Sequence, residues 1–277
     1  MIPKADPKAR AAGVDVGTSL VKLALRTGDD LSLRILPALA IERAAREIEA
    51  FRPERIGLTG AGASRLAGLL GLDTSARVEF EAWRAGAEVL LARQGAAPLG
   101  RDLVVSLGTG TSFLLAEPER VTRVGGTALG GGTLLALGAA LAGTGDPAEL
   151  VALASRGQRR NVDLTLADVD PGGALALSAD FTAAFFAKLA RGPAAAADVA
   201  HALVGLVAET VGTLASAVAA AVQARRILYG GGTLRENAPL REILAAYSFT
   251  GEKLFLEDGE FAGALGALEL ALAGSGR

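Results

Sequence analysis

Two segments, Asp15-Val16-Gly17-Thr18-Ser19 and Gly108-Thr109-Gly110-Thr111-Ser112, place glycine and hydroxyl residues between apolar stretches that read as β-strands. A glycine at such a turn lets backbone N–H groups approach phosphate oxygens, because no Cβ stands in the way. The hydroxyls add hydrogen bonds, and Lys22, one of five lysines, could bring a positive charge to the same anion. Asp15, at a strand end, suits a Mg²⁺ held mainly through water. One such loop is also what a polar hairpin looks like. Two of them, 91 positions apart, read as facing loops that hold a triphosphate from both sides.

Gly130-Gly131-Gly132-Thr133 opens a helical stretch, and a helix N-terminus offers free N–H groups and a positive dipole end to a phosphate. Gly230-Gly231-Gly232-Thr233 follows a strand and would let a flat base or ribose lie against the backbone. With 36 glycines in the chain, either run can equally be a packing turn. No GxxxxGK[ST] loop is present, and the first turn lacks GxGxxG, so neither a Walker-A site nor a Rossmann fingerprint is written here. Glu79, between Val78 and Phe80, is expected at a strand end. Partial desolvation there would raise its pKa and suit a general base, although an exposed glutamate has the same local sequence. Arg123, ahead of Val124-Gly125-Gly126, could clamp a substrate carboxylate or carbonyl, or be a solvated strand-end arginine. His201, the single histidine, lies on an apolar helix and reads as structural.

The elements that must position these groups follow from periodicity. Strands are expected in 13–25 on both sides of the Gly17 turn, then at 31–36, 55–58, 78–80, 103–107, 113–116, 226–229 and 254–256. Helices are expected at 41–51, 63–70, 82–94, 133–141, 147–156, 180–190, 195–224, 239–246 and 262–273. The strand–glycine turn–strand unit occurs twice, about a lobe's length apart, which argues an α/β protein with two similar lobes. The reading divides the chain into a frayed tail (1–10), an N-terminal lobe (11–101) and a C-terminal lobe (102–277).

Composition narrows the chemistry. The 277 residues are 51% hydrophobic and 21% charged, with 28 Lys+Arg against 30 Asp+Glu, a net charge of −2. That balance argues against a nucleic-acid binder. Zero cysteines exclude disulfides, thiolate zinc sites and iron–sulfur clusters, and a single histidine excludes a multi-histidine metal site. The uncharged run 124–145 is long enough to span a bilayer, but eight of its 22 residues are glycine, so it reads as a loop entering a buried helix. The apolar run 199–224 reads as a buried helix or an interface. The charged, proline-containing N-terminus lacks a signal-peptide core. The expectation is a soluble, cytoplasmic protein without membrane partners.

Taken in order, these segments resemble the type II pantothenate kinases, of the superfamily of actin, sugar kinases and heat-shock ATPases. The matching pieces are GVDVGTSLVKL near the start, LTGAGA at 58–63, VEFEA at 78–82, LGTGTS at 107–112 and RVGGTALGGGT at 123–133. They continue with GQRRNVDL at 157–164, DFTAAFF at 180–186, RILYGGGTLREN at 226–237 and EDGEFAGALGAL at 257–268. The resemblance implies a two-lobed actin-like ATPase (ribonuclease-H-like) fold, each lobe a mixed sheet flanked by helices. It implies ATP-dependent phosphorylation of the primary hydroxyl of pantothenate, the first step toward coenzyme A, by a homodimer.

By the family pattern Glu79 is the general base, and Arg123, with Gly125 and Gly126, holds pantothenate. Gly17, Thr18, Ser19, Lys22, Gly108, Thr109, Gly110, Gly131, Gly132, Thr133, Gly232 and Thr233 meet ATP, and Asp15 positions Mg²⁺. The chain departs from the pattern at several positions. The first loop has one glycine before Thr18 where two are usual, and Gln158 stands where aspartate is frequent. Phe185 and Ala187 replace an asparagine and a glycine, and Pro147 aligns with an adenine-side tyrosine. The alternatives are a kinase of another small hydroxylated substrate such as an amino sugar, and a nucleotide-binding regulator or pseudokinase of the same fold.

Overall fold

Both sheets grow from the same chain pattern. The computed structural model describes residues 10–72, 79–174, 178–246 and 251–274. In the first half β1 (Arg10–Val16), β2 (Leu20–Thr27) and β3 (Asp30–Pro37) form an antiparallel meander. After α1 (Ile41–Phe51), β4 (Arg55–Thr59) returns parallel to β1, giving the order β3-β2-β1-β4. Then come α2 (Ala63–Leu69) and α3 (Glu79–Arg93). In the second half β5 (Asp102–Leu107), β6 (Thr111–Glu117) and β7 (Arg120–Thr127) repeat the meander. They are followed by α4 (Gly131–Leu137), α5 (Pro147–Ala154), β8 (Leu164–Thr165), α6 (Leu166–Val169), β9 (Thr182–Ala184) and α7 (Ala196–Ala221). Next, β10 (Arg226–Gly230) pairs parallel with β5, and beyond α8 (Ala238–Ala246) β11 (Glu252–Phe255) adds the far edge. The order is β11-β10-β5-β6-β7, and α9 (Ala262–Ala273) closes the described chain.

Three apolar clusters define the layers. Residues of α1 and α2, among them Ile41, Ile48 and Leu66, pack on one face of the first sheet with Val14, Leu23 and Leu58. Trp83, Leu90 and Leu91 of α3 and Leu265 and Leu268 of α9 fill the space between the sheets, against Ala11 and Ala24 on one side and Val104, Leu114 and Leu228 on the other. Leu203, Val207 and Val211 of α7 cover the outer face of the second sheet with Leu103, Val105 and Phe113. Thus α9, from the far end of the chain, lies on the first sheet. The middle layer is thin because glycines meet backbone. A Cβ on Gly86 of α3 would collide with the carbonyl of Ala262, and one on Gly266 of α9 with that of Ala82. Gly13 and Gly57 do the same beneath Ala264 and Ala267.

At the chain crossover Arg226 binds Asp102 through two hydrogen bonds (Nε–Oδ1 3.2 Å, Nη2–Oδ2 2.6 Å) and donates to the carbonyls of Ala97 and Pro98. This forked, charge-assisted pair ties the connection from α3 to the starts of β5 and β10. α7 is long and apolar enough to cross a bilayer, but most of it is buried in the second core. Its Glu209 is paired with Arg159. His201, half-buried on the same helix, donates Nδ1–H to the Gly157 carbonyl at 2.7 Å, a structural bond.

Some expected elements differ. Glu79 and Phe80 open helix α3 instead of ending a strand, because Ala82, Trp83, Gly86 and Leu90 bury one helical face; Val78 lies outside the described residues. The helix expected at 180–190 is instead β9 followed by a short 3₁₀ turn, Ala187–Arg191. Side chains from elsewhere capture that backbone. Glu209 accepts the Thr182 N–H, and Asp163 accepts the N–H of Phe186, which holds a left-handed φ of 57°. β7 is not among the expected strands beyond the reading of Arg123 as a strand-end residue, since Gly125 and Gly126 argue for loop. Residues 1–9 of the expected tail lie outside the described residues, and Arg10 already pairs with Thr27.

Tyr229 is fully buried on β10, stacked on Phe255 at 5.2 Å between ring centroids, and its hydroxyl has no hydrogen-bond partner among the described residues. A lone buried hydroxyl costs desolvation with nothing in return. Tyr229→Phe is therefore expected to stabilise the fold by up to about 1 kcal/mol. In urea unfolding the midpoint should rise with an unchanged slope.

Candidate active site

The two glycine turns meet. Strand pairing carries Gly17 and Gly108 to equivalent ends of the two sheets, and the Thr109 hydroxyl lies 3.2 Å from that of Thr18 and 3.0 Å from that of Ser19. Behind them is a cavity of about 970 Å³. Its wall includes Gly17, Thr18, Ser19, Gly108, Thr109, Gly110, Gly131, Gly132, Gly232 and Thr233, so almost all the residues expected around a nucleotide share one space. Thr133 is not part of that wall; its hydroxyl donates to the Ala128 carbonyl. The N–H groups expected to be free at the start of α4 are engaged. Gly131 donates to Gly108 O at 2.8 Å and Gly132 to Thr109 O at 2.9 Å. These bonds splice the second loop to the helix. The Thr233 hydroxyl donates to Gly108 O at 2.8 Å and fixes the fourth glycine run against the same loop. Gly231, at φ 113°, packs on the Leu107 backbone, where no side chain fits.

Asp15 and Lys22 are directly opposite in the β1–β2 register, so both side chains stand on one face. Lys22 Nζ is 3.0 Å from Asp15 Oδ2, and both groups are mostly buried. The lysine expected to face phosphate thus also neutralises the aspartate expected to face metal. Gly60 and Gly263 enclose that carboxylate: a Cβ on them would lie 2.6 Å from Oδ1 and 3.0 Å from Oδ2. Gly263 is in the first turn of α9, whose dipole favours an anion there. Glu79, in the first turn of α3, lines the same cavity. Its side chain is exposed to the cleft. Desolvation, and then the negative charge of Asp15, push its carboxyl above the usual range, with Lys22 partly offsetting them.

Arg123 lies within β7, not at a strand end. Phe113 pairs with Gly125 and Leu114 with Arg123, so Val124 is an extra residue in a β-bulge. The bulge puts Arg123 on the face of Gly126, not of Gly125, and that face looks toward α3. A Cβ on Gly126 would come within 2.5 Å of Arg123 Nη2; Gly126 makes room for the guanidinium. Gly125 packs over Phe113. Arg123 lines the cavity, and Gly125 and Gly126 do not. Sequence reasoning missed Ser106, Trp83 and Asn237 in the wall, which also holds Ser112 of the second loop segment. Ser106 and Ser112 are cross-strand partners on the Arg123 side, and their alternation with Leu107 and Phe113 is a signal the sequence does carry. Leu134, Leu135, Pro147, Leu150 and Val151 give the cavity an aliphatic wall from α4 and α5.

Sheet order, layering and paired loops define the class: an actin-like ATPase or sugar-kinase fold. Component A of the (R)-2-hydroxyglutaryl-CoA dehydratase of Acidaminococcus fermentans superimposes with a TM-score of 0.66 at 16% identity, over 97% of this chain and 100% of that one. A ROK family glucokinase from Streptomyces griseus, solved with glucose and AMPPNP, gives 0.55 at 17% identity, over 95% and 99%. Residues 101–269 match the Fumble family. A type II pantothenate kinase of Oceanobacillus iheyensis is 30% identical over 259 residues, 92% of this chain and 97% of that protein. One of Staphylococcus aureus is 29% identical over 263 residues, 93% and 98%. The chain belongs to the Fumble family, the type II pantothenate kinases.

Removing one member of a buried pair leaves the other charge uncompensated. Lys22→Met is expected to cost about 2–4 kcal/mol of stability at neutral pH. The double change Asp15→Asn with Lys22→Met should cost less than Lys22→Met alone. Urea unfolding of the four proteins of this cycle measures it.

Proposed function

We propose that this protein is an ATP-dependent pantothenate kinase that phosphorylates the primary hydroxyl of pantothenate. The observation that carries the reading is that Glu79 and Arg123 line one cavity with both hydroxyl-bearing glycine loops, in a chain of this family. Phosphoryl transfer asks a protein mainly to cradle phosphates, neutralise charge and aim the attacking oxygen in line. In this reading the triphosphate sits between the Gly17–Ser19 and Gly108–Gly110 turns, where hydroxyls now bonded to each other exchange partners for phosphate oxygens. The base rests against the aliphatic wall of α4 and α5. Arg123 holds the pantothenate carboxylate or a carbonyl, and the Glu79 carboxylate takes the proton of the attacking hydroxyl.

Mg²⁺ fits as an ion that arrives with ATP. Among the described residues no cluster of three acids, histidines or cysteines exists, and Asp15 is the hard oxygen donor beside the first loop. Bound there, it would neutralise phosphate charge. We further propose a homodimer, on the family resemblance alone, since most of the apolar surface of α7 is buried within the chain; sedimentation equilibrium tests it. The working division is a lobe of 11–101 and a lobe of 102–277, with α9 returning to the first. Cytoplasmic action is the natural site for an ATP-consuming enzyme.

The deciding assay is ADP release with Mg-ATP, with and without pantothenate, beside a panel of amino sugars. Release that requires pantothenate is expected; release with a sugar alone moves the substrate, and nucleotide binding without turnover favours a regulator. Glu79→Gln is expected to keep ATP affinity and lose about 10²–10⁴-fold in kcat. The pH profile follows from the raised carboxyl of Glu79. The base is active when ionised, so the rate falls as pH drops through a value above that of an ordinary glutamate. That acid limb should vanish from the residual rate of Glu79→Gln. Arg123→Ala is expected to lower kcat/KM for pantothenate by about 10–100-fold, the worth of a lost charged hydrogen bond. ATP binding should be nearly unchanged by it in calorimetry.

A further inference from the structure

We infer that the nucleotide site does not read the 6-position of the purine, so that a 6-oxo purine nucleoside triphosphate serves nearly as well as ATP. This rests on the ATP reading above and goes a step past it. The wall proposed to face the base, Leu134, Leu135, Pro147, Leu150 and Val151, carries no side-chain donor or acceptor, and Pro147 lacks a main-chain N–H as well.

Several polar side chains that line the same cavity from the adjoining segments are already engaged. Asp146 Oδ1 accepts the Glu149 N–H at 2.9 Å and caps α5. The Thr233 hydroxyl is spent on Gly108 O. Asn237, buried, donates from Nδ2 to Thr233 O at 3.2 Å and accepts the Leu240 N–H on Oδ1 at 3.3 Å. Arg235 is drawn to Glu260, with Nε 3.7 Å from its carboxylate. A base against this wall finds apolar surface and shape, and the wall itself presents no side-chain partner for the exocyclic group.

The distinction is large in energy. A pocket built to hydrogen-bond a substrate group rejects an analogue lacking it by about 10⁴–10⁵, because its own polar atoms are left unpaired. A pocket that offers only apolar contact has no such penalty to impose. The aliphatic wall discriminates size, and adenine and hypoxanthine differ little in size.

The test compares ATP with ITP. Equilibrium binding is measured by calorimetry without pantothenate, then kcat/KM for each nucleotide with pantothenate. Affinities within about tenfold of each other are expected, with kcat/KM following. An ITP affinity tenfold or more weaker than that of ATP overturns the inference and leaves the ATP site standing; a main-chain group or a carboxylate oxygen of Asp146 or Glu236 would then be reading the base edge. Binding of neither nucleotide overturns the ATP reading and this inference together. Binding of both without pantothenate-dependent turnover sinks the kinase reading alone, since the affinity ratio still decides the inference.

Discussion

The contact on which the site depends is backbone against backbone. Gly86 and Gly266 bring α3 and α9 together so closely that a methyl group on either would strike a carbonyl of the other, and Gly13 and Gly57 bring α9 equally close to the first sheet. Interiors are packed near crystal density, and side chains usually take up small errors by changing rotamer. Main-chain atoms in contact have no such freedom. The helix pair is therefore a stiff slab between two sheets. One helix begins with Glu79, and the other begins against the carboxylate of Asp15. The distance between the proposed base and the proposed metal-side acid is fixed by peptide geometry.

The two sheets share a topology, and the chemistry lies in where they differ. Each contributes a meander whose first turn enters the cleft, so the loops oppose one another through the same construction used twice. The first lobe adds charge on its second strand, where Lys22 pairs with Asp15 across the hairpin. The second adds charge on its third strand, where the bulge at Val124 delivers Arg123. A duplicated frame places both loops; single substitutions on neighbouring strands then turn a general anion cradle into a site with direction. The long connection from β7 through α7 to β10 supplies the aliphatic wall in the second lobe, where the first lobe has only α1 between β3 and β4.

Much of this was legible in the residues. Turn glycines flanked by Val, Leu and hydroxyls mark strand ends strongly, so both loops, the two-lobed plan and the cavity residues around them could be named without coordinates. The boundaries of α1 and α9 were readable because their apolar spacing is unbroken. β7 was hidden because two glycines weaken strand character and the bulge breaks the alternation that would have placed Arg123. The helical start at Glu79 and Phe80 was hidden because Val78 and Phe80 favour strands by residue type, a preference that the buried helical face overrides at Phe80. The 180–190 segment follows acceptors far away in the chain, Asp163 and Glu209, which no local pattern announces. The Asp15–Lys22 pair was available from hairpin register alone, since the two residues are symmetric about the turn.

The hydroxyl contacts between Thr109 and the Thr18–Ser19 turn join the lobes at the cleft mouth, while the floor is fused by the apolar cluster around α3 and α9. Solvent-accessible hydrogen bonds of this kind are worth on the order of 1 kcal/mol each. Parting two of them costs about 2 kcal/mol, a population of a few per cent with the loops separated at any instant. Entry of a ligand then needs thermal motion alone, and the same weakness lets a product leave.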